Sequence, residues 1–382
     1  SHWQDNDYAP YFYRTADFGK TWTKITTGLP ARGWSHVIRE DLRTKGLLYA
    51  GTENGLYASW DDGARWVSIR NNMPPVPVRD LVIHPRDNDI IVATHGRGFY
   101  ILDDAAALQG LGKAMKTEAY LFPTRPAVRW AASSGMFRSN QRDWMAPNPP
   151  AGAYFDVYLR NSTPEPVTIT ITDKAGKTVR VLREPRAAAG VTRVVWNLRY
   201  DNPSAPRPAA PVPGMADVPP AIAERFGGGN QGPMALPGEY GVKVKAGAQE
   251  LTGTVRVVLD PAVQASPADV QVQLDASFTM MAMQGRVNAI IDRVDGLMTQ
   301  LTAFQATIAP QSPAPAYRAD VRAALDKLKA FRDTDLARPL PGLGYRQYPR
   351  LREDVQSIAG GVARGFRPLT EGEKLRMKEL AE

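Results

Sequence analysis

The sequence predicts a multidomain, mainly β chain: partial β-propeller blades first, a β-sandwich next, and a C-terminal α-helical hairpin or bundle. Three observations predict it. A motif recurs near the N-terminus with a period of about 44 residues, the size of one four-stranded blade. Apolar residues then alternate with period two through short runs between positions 153 and 258. Beyond Pro261 the apolar spacing changes to three and four, the period of helices.

Composition sets the limits. A chain of 382 residues is long enough for two or three domains, and an apolar fraction of 43% can build their cores. Pro and Gly, at 32 each, imply many turns. The absence of cysteine excludes disulfides, thiolate metal sites and a cysteine nucleophile. The net charge of +8 suits an acidic partner or anionic headgroups, but Lys and Arg are scattered rather than clustered, so no nucleic-acid role is expected. No apolar run reaches the length of a transmembrane helix. The chain opens on Ser1 rather than Met, and it is read as a processed or excerpted product that has lost its targeting segment.

The repeat occupies residues 1–105. Thr15, Asp17, Gly19 and Trp22 recur as Ser59, Asp61, Gly63 and Trp66, each 44 positions on. Both copies fit Ser/Thr-x-Asp-x-Gly-x-x-Trp. A third, partial copy pairs Gly55 with Gly98 and ends in a decayed box at Leu102-Asp103-Asp104-Ala105. The residue types suit a turn between two strands. The Asp can bond backbone N–H groups, the Gly can take positive φ, and the Trp can pack beneath the turn as the next strand begins. These paired motifs resemble the Asp-box (BNR) repeats of sialidases and sortilin-type propellers. The resemblance implies a propeller and assigns the boxes a structural rather than a catalytic part. About two and a half blades are present, so the remaining blades are expected upstream or in another chain.

Residues 106–150 read as an extended connector, with a short strand at Tyr120–Pro123 and with Trp130 and Trp144 as packing anchors. Residues 151–260 carry the sandwich strands, interrupted by a Pro/Gly-rich insertion at 201–236. The turn Asp173-Lys174-Ala175-Gly176-Lys177, the stretch Val195-Trp196-Asn197-Leu198-Arg199 and the entry Pro237-Gly238-Glu239-Tyr240 resemble the Ig-like domain of flagellar hook-capping proteins. That resemblance implies a spacer or docking domain.

Residues 261–382 form the helical tail. Ser266 followed by Pro267 and Asp269 predicts a helix start. Val287, Ile290, Ile291, Val294, Leu297, Leu301, Phe304 and Ile308 predict its apolar stripe. Pro-rich breaks at 310–315 and 339–344 divide it from further helices, and Thr370-Glu371-Gly372-Glu373 is a capping box. The cluster Met280, Met281 and Met283 reads as core or as a pliable binding face.

Catalytic signatures do not assemble. The histidines are His2, His36, His84 and His95, none at metal-ligand spacing on a helix, and His84 and His95 read as structural. P-loop, Gly-x-Ser-x-Gly, dinucleotide and zincin motifs are missing. Arg14, Arg32, Arg39, Arg97, Tyr13 and Tyr49 do not map onto a sialidase site. No catalytic residue, metal or cofactor is therefore expected. The expected function is that of a non-catalytic, extracytoplasmic binding or scaffold protein. It acts through other protein subunits, with a peripheral place in a membrane complex as a special case. The alternative is the C-terminal fragment of a sialidase-like glycoside hydrolase whose active site lies in upstream blades.

Overall fold

The computed structural model describes residues 2–131, 148–185, 187–202, 232–307, 315–338, 348–364 and 366–382. It is rich in β-sheet, with several helices toward the C-terminus. Most of the insertion 201–236, Trp144, Ile308 and both Pro-rich breaks in the tail lie outside the described residues.

Three antiparallel sheets occupy the repeat region. The first pairs β1 (Tyr13–Arg14) with β2 (Thr23–Lys24). The second is four-stranded: β3 (Ser35–Glu40), β4 (Leu48–Thr52), β5 (Gly55–Ser59) and β6 (Val67–Ser68), in that order. The third holds β7 (Val78–Ile83), β8 (Ile90–Thr94) and β9 (Phe99–Leu102). The second and third share fine detail. Each has a register shift at the start of its first strand, between Ser35 and Val37 and between Val78 and Asp80. In each a Thr hydroxyl bonds the carbonyl of a positive-φ glycine, Thr52 to Gly55 and Thr94 to Gly98. The expectation of four strands per unit holds only for the second sheet. The third has no counterpart of β6, because the chain turns at Asp104 into helix α1 (Ala106–Ala114). The segment expected as an extended connector therefore opens with a helix. Asp104 accepts from the amide of Ala106, and Leu108 packs against the core between the second and third sheets.

Two further sheets share one core. One orders β10 (Ala119–Leu121), β12 (Ala153–Leu159) and β15 (Gly190–Trp196). The other orders β11 (Ala127–Arg129), β17 (Gln249–Leu259), β16 (Gly238–Ala246), β13 (Val167–Thr172) and β14 (Thr178–Glu184). The alternation read from sequence is visible in β13, where Val167, Ile169 and Ile171 are buried and the threonines between them are not. Phe155 and Trp196 from one sheet meet Ile169, Tyr240 and Val244 from the other. The Trp196 indole donates to the Arg199 carbonyl at 2.9 Å, so the buried ring leaves no polar atom unpaired. Trp130, expected as an anchor, is exposed, because it follows the last paired residue of β11.

The tail begins where sequence placed it. The Ser266 hydroxyl accepts from the amide of Asp269, whose carboxylate accepts from Ser266 in return, and α2 runs from Pro267 to Thr307. Its start packs as predicted, with Met280, Met283, Val287, Ile291 and Val294 buried. They meet Val355 of α4 (Leu351–Arg364) and Leu336 in the turn that follows α3 (Pro315–Phe331). Met280 and Met283 are thus core, while Met281 is only half-buried. Ile290, Leu297 and Phe304, assigned to the same stripe, are exposed. Ile290 faces away from the core that buries Val287 and Ile291 on either side of it, and Leu297 and Phe304 lie past Val294, the last buried residue of the helix. The last helix, α5 (Glu371–Glu379), starts with the expected capping box.

Glu373 closes that box and pairs with Arg367 at 2.9 Å. Hydrogen bonding from Arg367 holds its carboxyl down to about 2. A carboxyl with a depressed folded pKa stabilises above its unfolded value, and the stabilisation disappears as pH falls toward the folded one. Amide exchange in α5 should therefore show lost protection as pH drops from about 4.3 toward 2. Glu373→Gln should lower protection at neutral pH and remove that pH dependence.

Candidate functional site

The two motif copies form the same turn. The Thr15 hydroxyl donates to Asp17 at 2.9 Å and accepts from the Gly19 amide at 2.8 Å. The Ser59 hydroxyl donates to Asp61 at 2.7 Å and accepts from the Gly63 amide at 2.9 Å. Asp17 accepts from the Thr21 amide at 2.8 Å, and Asp61 accepts from the Arg65 amide at 2.9 Å. Phe18 and Gly19 take positive φ in one turn, as Asp62 and Gly63 do in the other. The bonds from the Thr21 amide and hydroxyl hold the Asp17 carboxyl below the usual carboxylate range. Both carboxylates are engaged by their own turns.

The tryptophans diverge. Trp66 is 2% exposed and Trp22 is 60% exposed. Trp66 is fixed by the first unit: its amide donates to the Thr27 carbonyl at 2.9 Å and its indole to the Ile25 carbonyl at 2.8 Å. Gly28, at φ +92, lies so close that a Cβ would come within 2.4 Å of the Trp66 carbonyl oxygen. The expectation that both rings pack beneath their turns is thus corrected for Trp22. Its indole folds onto its own turn and donates to the Gly19 carbonyl. The acceptors that Trp66 uses come from the preceding unit, and no described residue supplies them to Trp22.

Titratable groups gather in two places that sequence reasoning missed. The first joins the third sheet to the two-sheet core. Arg193 on β15 grips Asp156 on β12 with two bonds of 2.8 Å and donates to the Asp103 carbonyl at 2.9 Å. Arg125 reaches Asp89 at 3.2 Å. The Tyr154 ring lies under both guanidiniums. Burial, and then the neighbouring Asp89, raise the Asp103 carboxyl above its ordinary value. Asp89, which would be its partner, is committed to Arg125 and the Asp104 amide.

The second gathering lies at the entry to β3. His36 is paired with Glu53 at 2.8 Å, and Arg79 approaches the other ring nitrogen at 3.4 Å. Trp34 stands edge-on to His36 and stacks on Trp3. His84 and His95 serve turns: the His84 ring accepts from the Asp87 amide, and the His95 amide donates to Pro77. Among the described residues no group of three His, Cys, Asp or Glu side chains could hold a metal ion, and no helix is long and apolar enough to cross a membrane. The sequence carried no signal for either gathering, since their members come from separate segments and share no short motif.

No protein-family model matches the chain, and no curated protein matches it.

Two measurements test this geometry. Trp66→Ala should cost about 3–5 kcal/mol in denaturant unfolding, as expected for a buried aromatic. Trp22→Ala should stay within about 0.5 kcal/mol, as at an exposed position. For Asp103 the folded pKa is raised, so the native state gains from its proton at low pH and loses that gain as pH rises through the folded value. Asp103→Asn should therefore raise the melting temperature at neutral pH and leave it unchanged in acid below the carboxylate range.

Proposed function

We propose that this protein works by contact, as a non-catalytic binding or scaffold subunit. In this reading residues 1–105 are units of an Asp-box β-propeller and the two-sheet core is an Ig-like docking domain. One observation carries it: among the described residues the buried carboxylates are Asp41, Asp104 and Asp156, and each joins elements together. Asp41 accepts from Tyr49 at 2.9 Å and from Gln109 of α1 at 3.0 Å. Asp104 accepts from Asn88 at 3.0 Å. Asp156 holds Arg193. The buried carboxylates therefore hold the architecture, which favours a rigid binding body over an enzyme.

The proposed setting is extracytoplasmic, within an assembly of other protein subunits, including the outer face of a membrane complex. The net charge of +8 would favour acidic partners or anionic headgroups there. Exposed charges are screened over about 8 Å at physiological ionic strength, so association should weaken as salt rises. The expected outcome is copurification with other subunits at low salt and release at high salt. The protein should not turn over sialosides or other glycosides. A salt-insensitive monomer that hydrolyses a glycoside would replace this reading with that of a glycoside hydrolase fragment.

A further inference from the structure

Two guanidiniums meet where the two-sheet core receives the tail. Arg129 ends β11 and is 3% exposed. Arg199 follows β15 and is half-buried. Both converge on the segment that leads into β16. Arg199 pairs its backbone with Met234 and donates from Nη1 to the Gly232 carbonyl at 2.9 Å. Arg129 donates from Nη1 to the carbonyl of Ala235, the next residue along, at 3.3 Å.

A buried charge normally has an opposite charge beside it, as Arg193 has Asp156. This pair differs. Among the described residues no carboxylate bonds either guanidinium, and the acceptors are the Gly232 and Ala235 carbonyls and the Gln273 side chain. Phe366 offers Arg129 only a ring face, 4.9 Å from the guanidinium carbon. Arginine keeps its proton in proteins, so two like charges share an interior held by neutral groups. Burial draws both below their ordinary pKa, and the charge of Arg199 adds to this at Arg129.

The donors of Arg129 are also unspent. A guanidinium carries five N–H groups. Arg129 bonds Ala235 from one terminal nitrogen and Gln273 from the other, and its Nε is buried without a partner. A charged donor left dry is costly, so this Nε calls for an acceptor that the described residues do not provide.

We propose that Arg129 and Arg199 form a site for a small oxyanion of the phosphate and sulfate class, held between the five-stranded sheet and the tail. An ion with several oxygens can accept from Arg129 Nε and from Arg199 together, the forked match for which arginine is suited. A halide has one centre and cannot follow both forks. The burial of Arg129 excludes the phosphate of a nucleic acid or a lipid headgroup, because either would bring a polymer or a bilayer into the core. The ion supplies the missing counter-charge. It also tightens the tail on the sheet, because Arg129 holds Gln273 of α2 and rests on Phe366 just beyond α4.

Nitrogen-15 arginine labelling of the full chain tests this. The Arg129 Nε–H resonance is the one lost in Arg129→Lys. Inorganic phosphate, titrated against chloride at constant ionic strength, should shift that resonance along a saturating curve. Phosphate at ten times its dissociation constant should raise the thermal midpoint by about 3–5 °C. Arg199→Met should weaken the response at Nε by about tenfold or more. Arg129→Met should lose the rise in midpoint. A resonance that stays still, or that moves equally in chloride, overturns the proposal. A rise in midpoint that Arg129→Met retains does so too, since phosphate also stabilises folded proteins by exclusion from their surfaces. Should the Arg129 variants not fold, the resonance is assigned by its contact with the Phe366 ring, and the wild-type titration decides.

Discussion

A β-sheet with apolar side chains on both faces is stable only between two neighbours, and this requirement organises most of the molecule. The second sheet meets it fully. Its Tyr57 side rests on Phe12, and its Leu56 side rests on the third sheet. The contact is more than apolar burial, because Trp66 ties its indole and amide to the Ile25 and Thr27 carbonyls of the preceding unit. Burying a large aromatic supplies the driving force, and the two hydrogen bonds fix which segment receives it. Gly28 follows from this, since any side chain there would collide with the Trp66 backbone.

The same logic governs the later domains, with polar groups at the joints. Arg193 bonds both Asp156 within its own sheet and the backbone of Asp103 next to β9. Arg129 is buried between the five-stranded sheet and the tail. It donates to Gln273 of α2 at 2.8 Å, and Gln273 in turn donates to the Val362 carbonyl of α4 at 2.9 Å. Burial, and then the charge of Arg199, lower its pKa to about 10, so the guanidinium stays charged at neutral pH. A buried charge held by neutral acceptors is costly unless its geometry is kept, so loss of Gln273 would leave Arg129 exposed to that cost. The joint therefore favours one arrangement of sheet and helices.

The elements legible in sequence were those whose cause is local. The Ser/Thr-x-Asp-x-Gly turns, the alternation of β13 and the Thr370 capping box each depend on residues within a few positions of one another. Helix α1 escaped notice because Gly110 and Gly112 weaken its helical signal and the decayed box before it pointed to another strand. The exposure of Trp22 could not be read at all. The motif specifies the turn, but whether the ring is buried depends on carbonyls in a neighbouring unit. The Arg129–Gln273 bond spans 144 positions, and the His36–Glu53 and Arg193–Asp156 pairs likewise join segments that only the fold brings together.

The difference between Trp66 and Trp22 shows how a repeat divides its information. Each unit encodes its own turn completely, and both turns form with the same bonds whatever surrounds them. No unit encodes the cover for its own tryptophan. That cover is the glycine-containing ledge of the unit before it, which is why an intact turn at 15–22 coexists with an exposed indole. Helix α1 has a different role. Trp60 donates to its Leu108 carbonyl at 2.7 Å, and Gln109 ties it to Asp41 and Asn88, so it seals the core between the second and third sheets. It does not cover the row that Val82, Ile91 and Ile101 form as registered partners across β7, β8 and β9, where both outer members are exposed. The fold thus closes its inner core with a helix and leaves an apolar sheet face on the outside.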